Sequence, residues 1–285
     1  MSPLILLLAF LAPVLLFQVY GSFRSFNPFN PAASGFVWFE NYAEVFGDGR
    51  FWWSIARSLI FAGSSTFLSF LIGFGLALLM KEKFAGRGIF YMLFIIPMLM
   101  VPVVIGYTFE MLLVSKGPLN TILSYLWPGE VMVTWLAQEV PASLSLIFIE
   151  VWNWTPFVFI ILLAGLTGVS KEPIEAAQVM GASRFRIFRE IEMPLLRPVI
   201  ILVLILRFLE ALAEFPKNQA LTQGGPGTAT ETVPVLLYLT SWEYNDLGKG
   251  FAMSYALLVM VVAIVYVAIR VLMKEKRALD EIYAQ

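Results

Sequence analysis

Residues 175–194 read EAAQVMGASRFRIFREIEMP, a charged stretch set between two apolar ones. Its local chemistry spells a helical hairpin. Upstream, Ser170 suits the cap of a helix whose first turn holds Glu172 and Pro173, residue types favoured there. Gly181 suits the left-handed residue that ends such a helix. Ser183 then caps a second helix, on which Phe185, Phe188 and Ile191 recur every three residues along one face. Arg184, Arg186 and Arg189 fall largely elsewhere, and Pro194 closes the unit.

The surroundings are oily. Of 285 residues, 59% are hydrophobic and 14% charged, with a mean hydropathy of +0.81. Soluble domains carry about a quarter charged residues, so the chain reads as a membrane protein. Long stretches with few charges place six spans at about 3–21, 55–80, 88–113, 142–168, 198–217 and 250–273. The fold class is all-α: one polytopic domain over 1–285, with the hairpin in a loop at about 169–197. The first span lacks a Lys/Arg-rich leader region and is read as retained.

Lysine and arginine orient the bundle. With the N-terminus inside, the inner segments hold 12 positive residues and the outer loops four, Arg24, Arg50, Lys116 and Lys249. Both termini and the hairpin are therefore expected in the cytoplasm. The outer stretches FVWFENYAEVFG and LNTILSYLWPG suit short interfacial helices with aromatic anchors.

Composition also excludes. A net charge of −1 provides no basic field for nucleic acid. With Cys 0 and His 0, thiolate metal sites, imidazole zinc sites and Cys–His catalysis are ruled out within this chain. No catalytic residue, cofactor or metal ligand is expected. TQGGPGTATE lacks the Gly-Lys-Ser/Thr ending of a phosphate loop, and it reads as a tight outer turn between spans five and six.

Three readings of the hairpin compete on composition: a solvated connector, a DNA-reading helix-turn-helix, and a docking element for a cytosolic partner. Tethering by a span at each end speaks against a major-groove reader. The spacing then becomes specific. Glu175-Ala176-Ala177, three residues, Gly181, nine residues, Ile191, one residue, Met193-Pro194 resembles the EAA loop of permease subunits in bacterial ATP-binding-cassette importers. The family pattern has leucine at Met193, a volume-conserving exchange. VWNWTPFVFIILLAGL and LTQGGPGTATET extend the resemblance toward carbohydrate importers, and within them toward the larger permease of maltose-type systems.

The resemblance implies a bacterial inner-membrane subunit and four kinds of partner. These are a second homologous permease, two ATPase subunits carrying ATP and Mg, an extracytoplasmic solute-binding protein, and a carbohydrate within a lipid bilayer. It implies that Glu175, Ala176, Ala177 and Gly181 form the coupling helix that docks on an ATPase. A stand-alone secondary transporter or channel driven by an ion gradient is the alternative, and it leaves the EAA loop without a task.

Arg207, Glu210, Glu214 and Lys217 recur at steps of three, four and three, which predicts one charged stripe on span five. It reads either as an ion-pair ladder or as part of the solute route. Span four adds Glu150, Trp152, Asn153 and Trp154, with aromatic faces for sugar rings and polar groups for hydroxyls. Trp152, Asn153, Arg207 and Glu210 are the candidate route residues. An arginine in the route suits an acidic or phosphorylated sugar.

Overall fold

The structure, a computed structural model, describes residues 3–29, 34–82, 84–127, 132–170 and 172–283. Lys83 and Lys171, two of the inner positive residues, lie outside the described residues. In chain order the helices are α1 (Pro3–Ser22), α2 (Glu40–Gly47), α3 (Gly49–Leu79), α4 (Arg87–Leu99), α5 (Pro102–Leu113), α6 (Pro118–Leu126) and α7 (Glu139–Gly168). They continue as α8 (Glu172–Val179), α9 (Arg184–Ile187), α10 (Met193–Leu212), α11 (Pro216–Thr222), α12 (Val233–Tyr238) and α13 (Leu247–Tyr283). Single π-helical turns at Phe188–Glu192 and Leu239–Glu243 join α9 to α10 and follow α12.

Three helices, α3, α7 and the Leu247–Arg270 part of α13, are each long and apolar enough to cross a bilayer. At 31 residues α3 is about 46 Å long. It starts at Gly49, six residues before the expected span, because the Asp48 side chain caps it by accepting the Arg50 backbone N–H at 2.8 Å. α4 and α5 together pass the same test, α1 supplies a further apolar segment, and α10 is a 20-residue, mostly apolar helix that carries Arg197, Arg207 and Glu210. Short α2 and α6 fall on the two stretches expected to hold interfacial helices.

Two spans depart from the expected shape. Span three is two helices bent by 93°. Met100 and Val101 are extended, because Pro102 disfavours helical backbone in the residue before it and starts a new helix at its first position. Span five stops at Leu212, and α11 begins afresh with Pro216. Lys217 therefore leaves the stripe predicted for one continuous helix.

The bundle packs around α3 and α7. Along α3 the residues Ser54, Ser58, Ala62, Ser65, Ser69, Gly73 and Ala77 recur at three- and four-residue steps, and all are buried. Small side chains let helix backbones approach where lipid supplies no hydrophobic drive between them. Toward the end of the bundle that carries α8 and α9, Val158, Phe159, Leu162, Leu196 and Val203 form an apolar core with Ala77 and Met80. Toward the other end, Phe61, Ile105, Leu146, Ile149 and Leu221 join α3, α5, α7 and α11. Gly106 makes that second junction feasible: a Cβ there would lie 2.5 Å from Ala220 Cβ and 3.0 Å from the Lys217 carbonyl oxygen. The backbone of α11, with Lys217 on it, thus rests directly on α5.

Candidate functional site

The turn of the hairpin forms as its sequence predicts, but Pro194 does not close the unit: α9, the π-helical turn and α10 run on as one continuous helix, with Pro194 in the first turn of α10. α8 ends at Val179, and Gly181 adopts φ +82°, a left-handed conformation that costs an L side chain about 1–2 kcal/mol. The Ala182 N–H donates to the Ala177 carbonyl at 2.9 Å, closing the turn. Ser183 caps α9 by accepting the Arg186 N–H. Glu175, Ala176 and Gly181 are exposed, whereas Ala177 is buried inside the hairpin.

Around the turn stand Val179, Met180 and Phe185, exposed by 88, 81 and 70%. The hairpin is also anchored. Lys81, just past α3, places Nζ 2.5 Å from Oε1 of Glu192, which is 7% exposed and lies in the π-helical turn leading into α10.

A second site lies within the bundle, where α7, α10 and α11 meet. On α7, Glu150, Asn153 and Trp154 share a face at three- and four-residue steps. Arg207, 0% exposed, pairs with Glu150 and holds Glu210 at 2.7 Å. Lys217, 2% exposed, lies 2.6 Å from Glu150 and 3.1 Å from Glu214. Its Nζ donates to Asn153 Oδ1 at 2.8 Å, and Asn153 Nδ2 donates to the Pro97 carbonyl at 2.6 Å. Both cations also approach the Trp154 ring, at 5.5 and 5.7 Å from its centroid.

Burying charge is tolerable only when it is paired and hydrogen-bonded, and removing one member of such a pair costs about 3–5 kcal/mol. Glu150 is the hub, because one carboxylate bridges cations from two other helices. One oxygen each from Glu150, Glu210 and Glu214 lies within 4.8 Å of the others, a spacing usable by a metal ion, but here Arg207 and Lys217 supply the positive charge.

Of the four candidate route residues, Asn153, Arg207 and Glu210 come together in this cluster. Trp152 does not. It packs edge-on against Phe109 at 5.3 Å, in the apolar core between α5 and α7. Lys217 and Glu214 join the cluster through α11 and the turn before it. The hub role of Glu150 was missed, although a lone carboxylate within a charge-free apolar run was the available signal.

At the end opposite the hairpin, the GGPG loop is fastened to α3. Arg50 reaches Glu231, 1% exposed, through two bonds of 2.5 and 2.8 Å, and Arg57 donates to Thr228 at 3.0 Å. This two-pronged arginine–carboxylate geometry fixes orientation as well as distance. The loop is a braced turn, as its composition suggests.

The profile of one protein family, described as "Binding-protein-dependent transport system inner membrane component", matches residues 69–277. The chain belongs to that family. It is accordingly a multi-pass transport permease, and the hairpin and the charge cluster both fall inside the matched segment. Among its relatives, the trehalose/maltose transport system permease protein MalF of Thermococcus litoralis is 35% identical over 237 residues, covering 83% of this chain and 79% of that protein. The sulfoquinovosyl glycerol transport system permease protein SmoG of Agrobacterium fabrum is 29% identical over 255 residues, 89% of this chain and 82% of its own. In fold, the chain matches a subunit of a bacterial ABC transporter involved in the import of the acidic polysaccharide alginate. The TM-score is 0.81 at 22% identity, covering 95% of this chain and 92% of that one.

Proposed function

We propose that this permease is one membrane-spanning half of an ATP-driven carbohydrate importer and that residues 175–181 are where an ATPase grips it. The hairpin tip carries the proposal. Val179, Met180 and Phe185 are large apolar side chains standing exposed beside a rigid glycine turn, outside the spans. A solvated connector has no use for such a patch, whereas a protein partner does. The distribution of positive residues supports a cytoplasmic hairpin and cytoplasmic termini. The names of relatives support a sugar as cargo.

The partners are a second homologous permease, two ATPases holding ATP and Mg, and an extracytoplasmic solute-binding protein, so nucleotide hydrolysis lies outside this chain. Closure of the ATPases moves the hairpin. Through the Glu192 turn it moves α10 directly, and through Lys81 it moves the adjoining end of α3. Arg207 carries the displacement from α10 to Glu150 on α7, and Glu150 carries it on to Lys217 on α11. The buried cluster thus makes three helices respond together as the pore changes the side it faces.

Because the chain has Cys 0, Met180→Cys provides a single reporter thiol. In the assembled complex it is expected to crosslink to an ATPase subunit and to resist a membrane-impermeant maleimide applied from outside. Labelling from outside, or no crosslink to any nucleotide-hydrolysing subunit, sinks the proposal.

A further inference from the structure

We infer that the route lined by this chain is built for a neutral, polyhydroxylated solute and selects against acidic ones, with Glu210 and Glu110 as the selecting groups. The inference rests on the carbohydrate-importer reading and narrows its cargo. The fold alone leaves this open, since the structural neighbour imports an acidic polysaccharide while a relative is named for trehalose and maltose.

The first observation is which members of the buried cluster are open. Arg207 and Lys217 are shut in at 0 and 2% exposure. The Glu210 side chain is 35% exposed. It continues an exposed stripe of α10 that includes Leu202 and Leu206, both 43% exposed. Acidic side chains within spans face protein or water rather than lipid, so the open edge of Glu210, unlike the two leucines, is turned toward protein or a water-filled space. With or without its proton, Glu210 offers that space oxygen atoms and no positive charge.

The donors an anion would seek are already engaged. Arg207 is committed to Glu150 and Glu210, and Lys217 to Glu150, Glu214 and Asn153. Of the three guanidinium nitrogens only Nε is left without a partner, and it is closed to solvent. An arginine on this span therefore does not make an anion site.

The second observation is a cavity of about 480 Å³ at the end opposite the hairpin, between α5, α11 and the GGPG loop. Its lining includes Ser115, Thr222, Gln223 and a single charged residue, Glu110. From this cavity α11 runs back to the cluster, from Thr222 to Lys217. On α11, Asn218 Nδ2 and Gln219 Oε1 are unpartnered too, but they are as closed to solvent as Arg207 Nε. The groups that do face the cavity, the hydroxyls of Ser115 and Thr222 and the amide of Gln223, match sugar hydroxyls, which both give and accept hydrogen bonds. An anionic solute meets a carboxylate at the cavity and another at the cluster.

The test is uptake by the complete importer in proteoliposomes, using neutral disaccharides and their uronic-acid or phosphate counterparts, for wild type, Glu210→Gln and Glu110→Gln. Glu110 lies outside the ion-pair cluster, so Glu110→Gln guards against a folding artefact of Glu210→Gln. Wild type should carry a neutral sugar at least tenfold faster than its acidic counterpart, and each variant should raise the acidic-to-neutral ratio at least threefold. An acidic sugar carried as fast as the neutral one overturns the inference and leaves the carbohydrate importer standing, as does a ratio unchanged in both variants. Loss of the companion permease from purified Glu210→Gln overturns it too, by placing Glu210 at the subunit interface. Uptake of no sugar of either charge fails the importer reading itself.

Discussion

The Asn153 side chain donates to the carbonyl oxygen of Pro97 across 2.6 Å, tying α7 to the point where span three bends by 93°. At the bend the Pro97 carbonyl accepts only a 3.3 Å bond from the Met100 N–H, and its second lone pair, in an apolar interior, calls for another donor. Asn153 supplies one while its own oxygen accepts from Lys217. Asn153→Leu keeps the volume and strips both bonds. It is expected to destabilise the protein by about 1–3 kcal/mol, read as a lower midpoint of thermal unfolding in detergent. An unchanged midpoint would show that the bend stands without this brace.

Glu150 bridges Arg207 and Lys217. Glu150→Gln is expected to cost about 3–5 kcal/mol, because it leaves two cations facing only Glu210 and Glu214. Arg207→Met should cost a similar amount alone. The double variant Glu150→Gln/Arg207→Met should be less damaging than the two losses added together, by about 0.5–3 kcal/mol. Additive losses would show that the two side chains contribute independently.

Arg50 and Glu231 pair across 181 residues of sequence. Glu231 is buried while Arg50 is half open, so Arg50→Ala leaves a buried carboxylate without its cation. The GGPG loop is expected to loosen, detected as faster proteolysis or hydrogen exchange over 223–232, with little change at the hairpin. Arg50→Lys should restore only part of the protection, since an ammonium cannot reproduce the two-pronged contact.

The sequence was most legible where local chemistry alone decides. Ser183 as a cap, Gly181 as a left-handed turn and the longest apolar spans are short-range facts, and the structure carries the cap, the turn, three long apolar helices and a fourth span as a bent pair. Prolines are legible signals here: Pro102 breaks span three at the residue before it, and Pro216 opens α11 after span five has ended at Leu212. The charged stripe of span five was predicted as a property of one helix. Its actual partner is Glu150, 57 residues upstream of Arg207, and no local spacing encodes that pairing. Trp152 and Asn153 adjoin in sequence but face opposite surroundings, an apolar core and an ion cluster. The small residues of α3 were visible too, but their burial against α7 depends on which helix lies opposite.

Lys81 and Glu192 test whether the hairpin is stiffly coupled to α3. The bond is 2.5 Å long, with the lysine side chain 32% exposed and the glutamate side chain 10%. A partly exposed pair contributes little to stability, roughly 1 kcal/mol or less, so Lys81→Ala should barely alter the unfolding midpoint. Its expected effect is mechanical: ATP hydrolysis by the complex persists while solute uptake per ATP falls. The exchange Lys81→Glu/Glu192→Lys should restore uptake, since the attraction survives with the signs reversed. Failure of the exchange alongside intact assembly would remove this contact from the path of coupling.

Gly181 isolates the turn itself. A Cβ at this position meets nothing within 4 Å, so the only obstacle to a larger residue is its φ of +82°. A β-branched side chain tolerates that backbone poorly. Gly181→Val is therefore expected to re-aim α8 relative to α9 without disturbing the bundle, which is anchored elsewhere by the α3–α7 core. Membrane insertion and yield should stay near wild type while ATPase co-purification and uptake drop about tenfold or more. Gly181→Asn, the side chain most at home in left-handed backbone, should retain most of both. Equal loss in the Val and Asn variants would mean that the ATPase needs the glycine for close approach, and retention in both would mean that the angle of the turn does not matter.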